Sequence, residues 1–353
     1  MKSSETIRIE NVYHMLAYAF EALRKGPYAK IDPDEFANAE DMFAWILGLG
    51  MSQLVKQGLF REYVDVVEDM SGLRGKIELC GTINHRIARR PMLTVDHDEF
   101  SEDNLFNRIL KATVGLLVRS NRLKVSKNLI KHVLPFFAAV SDIRPKDICW
   151  DRLRYQRNNQ HYLMLMNVCR LVIDRMMMST TAGNVHVLSL DATDAKLHKL
   201  YESFVRAYFD RHFGLPTRTR HIRWDIEDGT DQTYLPEMEA DIVLERGSRA
   251  LIIDTKFYGA ILGGRIGGKV SSANLYQLLS YVSNYQANHR GAAVSGMLLY
   301  AKTTVDDFNG AEWRIGRHEI EVRTLKLDQK FSAIKASLDG IAYKYFGDIE
   351  RKD

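Results

Sequence analysis

Cysteine, proline and unbroken apolar stretches are all scarce in this sequence, and each shortage removes a class of protein. The three cysteines, Cys80, Cys149 and Cys169, stand far apart with no C-x-x-C pair and no histidine at ligand spacing. That excludes a disulfide frame, a zinc site and an iron–sulfur cluster, and predicts buried thiols. Seven prolines and 23 glycines without a period exclude collagen-like and low-complexity chains. The most apolar helix candidate, residues 161–178, is broken by Arg170, Asp174 and Arg175, and falls short of the roughly 20 clean residues that span a membrane. The N-terminus carries polar residues and then an amphipathic stretch, Asn11 to Leu23, without the apolar run and small-residue cleavage site of a secretory signal. A cytoplasmic protein with no membrane partner is expected.

What is present is an ordinary globular composition, 46% hydrophobic and 27% charged, with a formal net charge of +4 over 353 residues. So small an excess permits a polyanionic partner without identifying one. At roughly 100 to 200 residues per domain the length predicts about two domains, each able to bury a core.

The boundary shows as a change of pattern. Up to about residue 180, apolar residues recur at helical spacing over Asn11 to Leu23, Met42 to Gln57, Glu102 to Arg119 behind a Ser101 N-cap, and His161 to Met178. Short extended pieces, Glu62 to Val67 and Arg74 to Leu79, flank turn signals at Ser71-Gly72 and Gly75. After Thr180-Thr181-Ala182-Gly183-Asn184 the order becomes a helix (Ala195 to Phe213), an extended basic segment (Thr217 to Asp225), two strands (Met238 to Glu245 and Ala250 to Lys256), a Gly-rich loop, a helix (Ala273 to Gln286) and a strand (Gly296 to Tyr300). The expectation is an α+β, helix-rich domain over residues 1–185 and an α/β domain of order αβββαβ over residues 186–353, a mixed sheet flanked by helices.

The strongest chemical signal lies in the second domain. Ala250 to Ile253 reads as a central strand covered on both faces, and charge appears only at its C-terminal end, as Asp254-Thr255-Lys256. Asp254 and Lys256 are two apart on an extended segment and so share a face. Glu245-Arg246-Gly247-Ser248 reads as a hairpin turn that sets Asp241 on the neighbouring strand. Buried carboxylates usually meet a cation. Two of them, with a backbone carbonyl and waters, suit magnesium shared with a substrate phosphate. An isolated D-x-K is more often a strand-end ion pair. Here the apolar strand, the upstream aspartate and the helix bearing Gln277 and Tyr281 favour a site.

Asp241, Asp254-Thr255-Lys256 and Asn274-Leu-Tyr-Gln277-Leu-Leu-Ser-Tyr281 resemble the PD-(D/E)xK nuclease core. Together with Asn11-Val-Tyr-His-Met-Leu-Ala-Tyr18-Ala, Gly72-Leu-Arg-Gly75-Lys-Ile-Glu78 and Asn104-Leu-Phe-Asn107-Arg-Ile-Leu-Lys111, they resemble the McrC family, the endonuclease subunits of McrBC modification-dependent restriction systems. The resemblance implies a magnesium-dependent DNA endonuclease with Asp241, Asp254 and the Thr255 carbonyl as metal ligands, Lys256 orienting or activating water, and Gln277 as the polar residue of the following helix. The proline of the motif is replaced by Met238-Glu239-Ala240, a common departure. Glu202 stands where some members carry a further acid, although a solvated helical glutamate is the commoner reading. The resemblance further implies an N-terminal half that docks on a McrB-type AAA+ GTPase hexamer and stimulates it, and a substrate of double-stranded DNA containing modified cytosine. Arg154 and Arg157, in a basic loop, are the candidate partner contacts.

Weaker signals surround this core. Gly263 to Val270 misses the P-loop pattern because Val270 has no hydroxyl for magnesium. A loop offering Arg265 and Lys269 to phosphate fits better. Arg211, Arg218, Arg220 and Arg223, interleaved with His212, His221 and Trp224, suit either a DNA backbone, with Arg218 and Arg220 on one face, or a charged edge strand. Tyr281 is a further candidate DNA contact. The histidines show no ligand spacing. Two other functions compete, a non-catalytic activator of an AAA+ NTPase and a stand-alone repair nuclease with the same core. Intact Asp241, Asp254 and Lys256 disfavour the first, and the long N-terminal half disfavours the second.

Overall fold

The computed structural model describes residues 7–181, 195–216, 220–257, 262–263, 269–302, 308 and 310–352. In chain order the elements are α1 (Ile9–Ala19), α2 (Ala39–Gln57), β1 (Glu62–Met70), β2 (Lys76–Ile77), α3 (Leu79–Ile87), β3 (Leu93–Ser101), α4 (Leu105–Arg119), α5 (Lys127–Val133) and α6 (Tyr162–Thr181). They continue with α7 (Ala195–Phe213), β4 (His221–Ile222), β5 (Met238–Glu239), β6 (Ile242–Arg246), β7 (Arg249–Phe257), β8 (Leu262–Gly263), β9 (Lys269–Val270), α8 (Ser272–Asn288), β10 (Ala293–Lys302), β11 (Ala311–Ile315), β12 (His318–Lys326) and α9 (Phe331–Phe346).

These elements form two units, Asp34–Leu188 and a second made of Met1–Pro33 with Ser189–Asp353. The break near residue 188 lies close to the expected boundary at 185, but the first 33 residues do not belong with the residues that follow them. The reason is a buried polar anchor. Asn11 is fully buried on α1, and its Nδ2 donates to the carbonyls of Leu327 and Gln329 at 2.7 and 2.8 Å. An amide buried in an apolar setting costs free energy unless it is paired, so these two acceptors tie α1 to the region between β12 and α9.

In the Asp34–Leu188 unit, β3 sits between β1 and β2 in an antiparallel sheet, with α2, α4, α5 and α6 packing separately. Asn38 caps α2 by accepting the Asp41 N–H at 2.8 Å. Burial alone would raise the Asp41 carboxyl, but donors from Ser126, Val125 and Lys124 outweigh it and hold it below its ordinary range. The fourth helix starts later than the sequence suggested. Its cap is Asn104, which accepts the Asn107 N–H at 3.1 Å, and Ser101 closes β3 instead. Asn104 and Asn107 both donate to the Phe60 carbonyl, at 2.6 and 3.0 Å, and Tyr162 donates to Asn107 Oδ1 at 2.8 Å. That motif is therefore a buried structural knot. Gly75 holds φ at +71°, and a Cβ there would lie 2.4 Å from the Asp96 carbonyl oxygen, so only glycine fits this turn against β3. Of the cysteines, Cys169 is buried as expected, whereas Cys80 and Cys149 are exposed because α3 and the turn before Trp150 present them to solvent.

The other unit carries a five-stranded mixed sheet of order β11-β12-β10-β7-β6. β6 and β7 form the expected hairpin, while β10 runs parallel to both β7 and β12. The basic segment departs from the αβββαβ reading. Among its described residues only His221–Ile222 forms a strand, which pairs with β5 in a separate two-stranded ladder outside the main sheet. α8 crosses from β7 to β10 and packs Leu278, Tyr281, Val282 and Tyr285 against Ala250, Ile252, Val294 and Ile320. Gly296 permits this closeness, since a Cβ there would lie 2.8 Å from Val282 Cγ2. On the other face α7 brings His198 to Thr255 and Tyr201 to Phe257. Among the described residues no helix is long and apolar enough to cross a membrane.

Candidate active site

The hairpin register builds the site. Ile242 pairs with Ile253, so Asp241 and Asp254 occupy the next level on adjoining strands. Alternation along β7 sends Asp254 and Lys256 to the face covered by α8, and Thr255 to the face covered by α7. Because β7 and β10 are parallel, their carboxyl ends share an edge, the position where open α/β sheets place ligands.

Asp254 is 2% exposed and Lys256 7%, and Lys256 Nζ lies 2.7 Å from Asp254 Oδ2. Burial pushes the Asp254 carboxyl up to about 6; the ammonium of Lys256 opposes this, and the charge of Asp241 adds to it. Gln277 Oε1 accepts Lys256 Nζ at 3.4 Å while Gln277 Nε2 donates to the Tyr281 hydroxyl at 2.8 Å. The expected grouping of Asp241, Asp254, Lys256 and Gln277 is thus present as geometry. Asn274, one turn earlier on α8, donates to the Tyr300 hydroxyl at 2.9 Å, and Tyr300 is the β10 partner of Lys256 in the parallel register.

Asp241 is held from the α7 side. Its Oδ2 accepts the Thr255 N–H at 2.7 Å and the Thr255 hydroxyl at 2.6 Å, with His198 Nε2 4.0 Å away. His198 Nε2 also lies 2.6 Å from the Thr255 carbonyl oxygen. Sequence reading passed over this histidine. The available signal was its spacing from Glu202, four residues along α7 and therefore on the same face. Burial raises the Glu202 carboxyl, and the charge of Asp241 raises it further. His198, Glu202, Arg220, Glu239 and Asp241 line a cavity of about 320 Å³ beside the hairpin.

The donor set suits a hard divalent cation at the two aspartates. Asp254 Oδ2 is buried against the Lys256 ammonium, and a carboxylate whose ionisation is resisted by burial and by a second acid gains from a further cation. The third expected ligand, the Thr255 carbonyl, is already engaged by His198. Among the described residues no three His, Cys, Asp or Glu side chains converge as a ready ligand set.

Several expected DNA contacts are placed otherwise. Arg220 is committed to carboxylates, with Nη1 on Glu202 and Nη2 2.6 Å from Glu239, because three acids around one cavity need a cation. Tyr281 is 7% exposed, with its ring in the α8 core. Trp224 donates to the Pro236 carbonyl at 2.7 Å and packs against the same core, and Arg211 lies over Tyr18 at the far end of α7. Lys269 and Arg223 are exposed, whereas Arg218 and Arg265 lie outside the described residues. In the other unit Arg154 and Arg157 are exposed on a loop shaped by buried Asn159, which accepts the Gln156 N–H at 2.7 Å and donates to the Arg154 carbonyl at 3.0 Å.

A family model described as McrBC 5-methylcytosine restriction system component matches residues 2–301. The chain belongs to this McrBC family. It is similar to the type IV methyl-directed restriction enzyme EcoKMcrBC of Escherichia coli, with 26% identity over 344 residues, covering 96% of this chain and 98% of that protein. Two solved McrBC assemblies from Thermococcus gammatolerans are also similar. A half-complex from a tetradecameric assembly of McrB AAA+ hexamers with bound McrC shows 19% identity and a TM-score of 0.44, covering 94% of this chain and 76% of that one. The McrBC complex solved by cryo-electron microscopy shows 23% identity and a TM-score of 0.38, covering 60% and 59%.

Proposed function

We propose that this member of the McrBC family is the DNA endonuclease subunit of a type IV restriction complex, hydrolysing phosphodiesters in double-stranded DNA that contains modified cytosine. The observation that carries the reading is the strand-end constellation: Asp254 and Lys256 on one face of β7, with Asp241 level with Asp254 across the hairpin. In this reading Asp241 and Asp254 would hold magnesium, with the Thr255 carbonyl as the further oxygen donor. The metal supplies charge stabilisation at the scissile phosphate and acidifies a bound water. Asp254 and Gln277 fix the ammonium of Lys256, so that a compact positive charge lies ready for the phosphate and the attacking water without having to reorganise. Asp241 keeps the Thr255 backbone in register, which holds the Asp254 and Lys256 side chains on the catalytic face.

The resemblance of the motifs across the chain supports a McrB-type AAA+ GTPase hexamer as partner. The exposed loop of Arg154 and Arg157 is the proposed contact, where a cation reaching a neighbour's nucleotide site would stabilise developing charge. The test combines the purified chain, its AAA+ partner, GTP and magnesium with methylated and unmethylated DNA. Cleavage is expected for methylated DNA alone, and Asp254→Ala should abolish it while stimulation of GTP turnover persists. Cleavage at the wild-type rate by Asp254→Ala, or cleavage unaffected by chelation of divalent ions, would overturn the assignment.

A further inference from the structure

The motif Asn11 to Tyr18 is only partly explained by packing. Asn11 anchors α1, but Tyr13, His14, Ala17 and Tyr18 of the same helix line a cavity of about 370 Å³ that the proposed chemistry does not use. The cavity lies near Arg211, at the end of α7 remote from His198, about 20 Å along the helix at 1.5 Å per residue.

Its walls combine aromatic rings with cations. Arg24 and Arg211 place their guanidinium carbons 6.0 and 5.6 Å from the Tyr18 ring centroid, and Lys335 Nζ is 6.0 Å from that of Phe331. His14 stacks on Phe331 at 3.9 Å and 16°. Tyr18 is held in place, with its hydroxyl 2.8 Å from His212 Nε2 and its ring against Phe204 at 5.4 Å. Among the described residues none of Arg24, Arg211 and Lys335 is in an ion pair, although acids stand nearby. Glu21 and Asp339 are matched elsewhere, Glu21 with Lys25 at 2.7 Å and Asp339 with the Tyr208 hydroxyl at 2.6 Å, while Glu10 stands between Arg8 at 3.8 Å and His14 of the cavity wall at 3.9 Å.

Three cations without a carboxylate partner around one concavity set up a positive potential there, which favours an anion between them. Guanidinium groups grip phosphate through paired N–H donors, and the half-buried Tyr18 and His14 rings beside them offer aromatic surface to a base. A cavity of this volume takes one compact ligand rather than a length of polypeptide.

We propose that this cavity binds a nucleoside phosphate, with the base against Tyr18 and His14 and the phosphate among Arg24, Arg211 and Lys335. The same chemistry is presented by a free nucleotide and by the 5′-phosphorylated end of a DNA strand. Calorimetry on the full chain in EDTA, which removes metal-dependent binding at the strand-end site, distinguishes them. The probes are dGMP, a 5′-phosphorylated single-stranded oligo-dT, inorganic phosphate and a polyglutamate peptide. Either dGMP or the oligonucleotide should bind at least tenfold tighter than phosphate or polyglutamate. The Arg24→Gln/Arg211→Gln variant should lose at least tenfold of that affinity with an unchanged melting temperature. Binding of dGMP identifies the free nucleotide as the source, and binding of the oligonucleotide without dGMP identifies the strand end. The proposal is overturned if neither nucleotide probe binds, if phosphate or polyglutamate binds as tightly as the better nucleotide probe, or if the double variant binds as the wild type does. Should that variant melt lower, Lys335→Gln decides by the same tenfold criterion.

Discussion

Replacing Asp254 with Asn is expected to stabilise the unit that carries it while ending cleavage. The carboxyl is buried and pushed up to about 6 from 3.8, so the folded state holds its proton more tightly than the unfolded chain does. Below pH 3.8 the acid is neutral in both states and the folded form loses nothing by burying it. Between 3.8 and about 6 the unfolded chain ionises first, and stability falls as pH rises through the folded value. Above that the full penalty stands, about 3 kcal/mol at 1.36 kcal/mol per pH unit. Asn keeps the shape and removes the charge. At roughly 2–4 °C per kcal/mol for a unit of this size, the variant should melt up to about 10 °C higher at pH 8, and close to wild type at pH 4. Unfolding in EDTA across that range, followed by circular dichroism, measures the gap. A gap that fails to widen with pH, or a variant less stable at pH 8, would show that the ion pair with Lys256 outweighs burial, and the account of a carboxylate kept at a cost for chemistry would fail.

Lys256→Arg should lower cleavage by about 100-fold or more while magnesium affinity and stimulation of partner GTP hydrolysis persist, because a planar guanidinium cannot take the place of an ammonium held between Asp254 and Gln277. Paired assays of DNA cleavage and GTP turnover check this, and loss of both activities in a folded protein would make Lys256 a structural residue. In the other unit, burial would raise the Asp103 carboxyl, but hydrogen bonds from Arg108 and Ser141 prevail and hold it at about 2. Asp103→Asn should therefore cost about 1–2 kcal/mol at pH 7, after allowance for solvent screening. That cost is present above pH 3.8 and disappears as pH falls through about 2, which urea titrations at pH 7 and pH 2 will show or refute.

The parts of the site that were legible in the sequence are those set by local rules. Strand alternation puts Asp254 and Lys256 on one face, and a short turn fixes the level of Asp241 opposite Asp254. What was not legible depends on contacts between distant elements. His198 reaches Thr255 across 57 residues, and Arg220 is drawn to Glu202 and Glu239 by the approach of α7. α3 and β3 were missed because their burial is shallow. α3 has no buried residue, and Asp98, Glu99 and Phe100 in the second half of β3 are exposed, which erases the periodic apolar signal. Gly75 was read as a turn, but the reason for glycine there lies with Asp96 on a partner strand.

The clasp between Asn11 and the Leu327 and Gln329 carbonyls orders the events of synthesis. A ribosome releases the chain from its N-terminus, and domains generally fold as units while the rest is still being made. The Asp34–Leu188 unit emerges whole and can settle early. The unit bearing Asp254 and Lys256 cannot close, because α1 waits for acceptors 316 and 318 residues downstream. A nascent chain that has not yet reached Leu327 and Gln329 therefore lacks the clasp that closes the unit bearing Asp254 and Lys256.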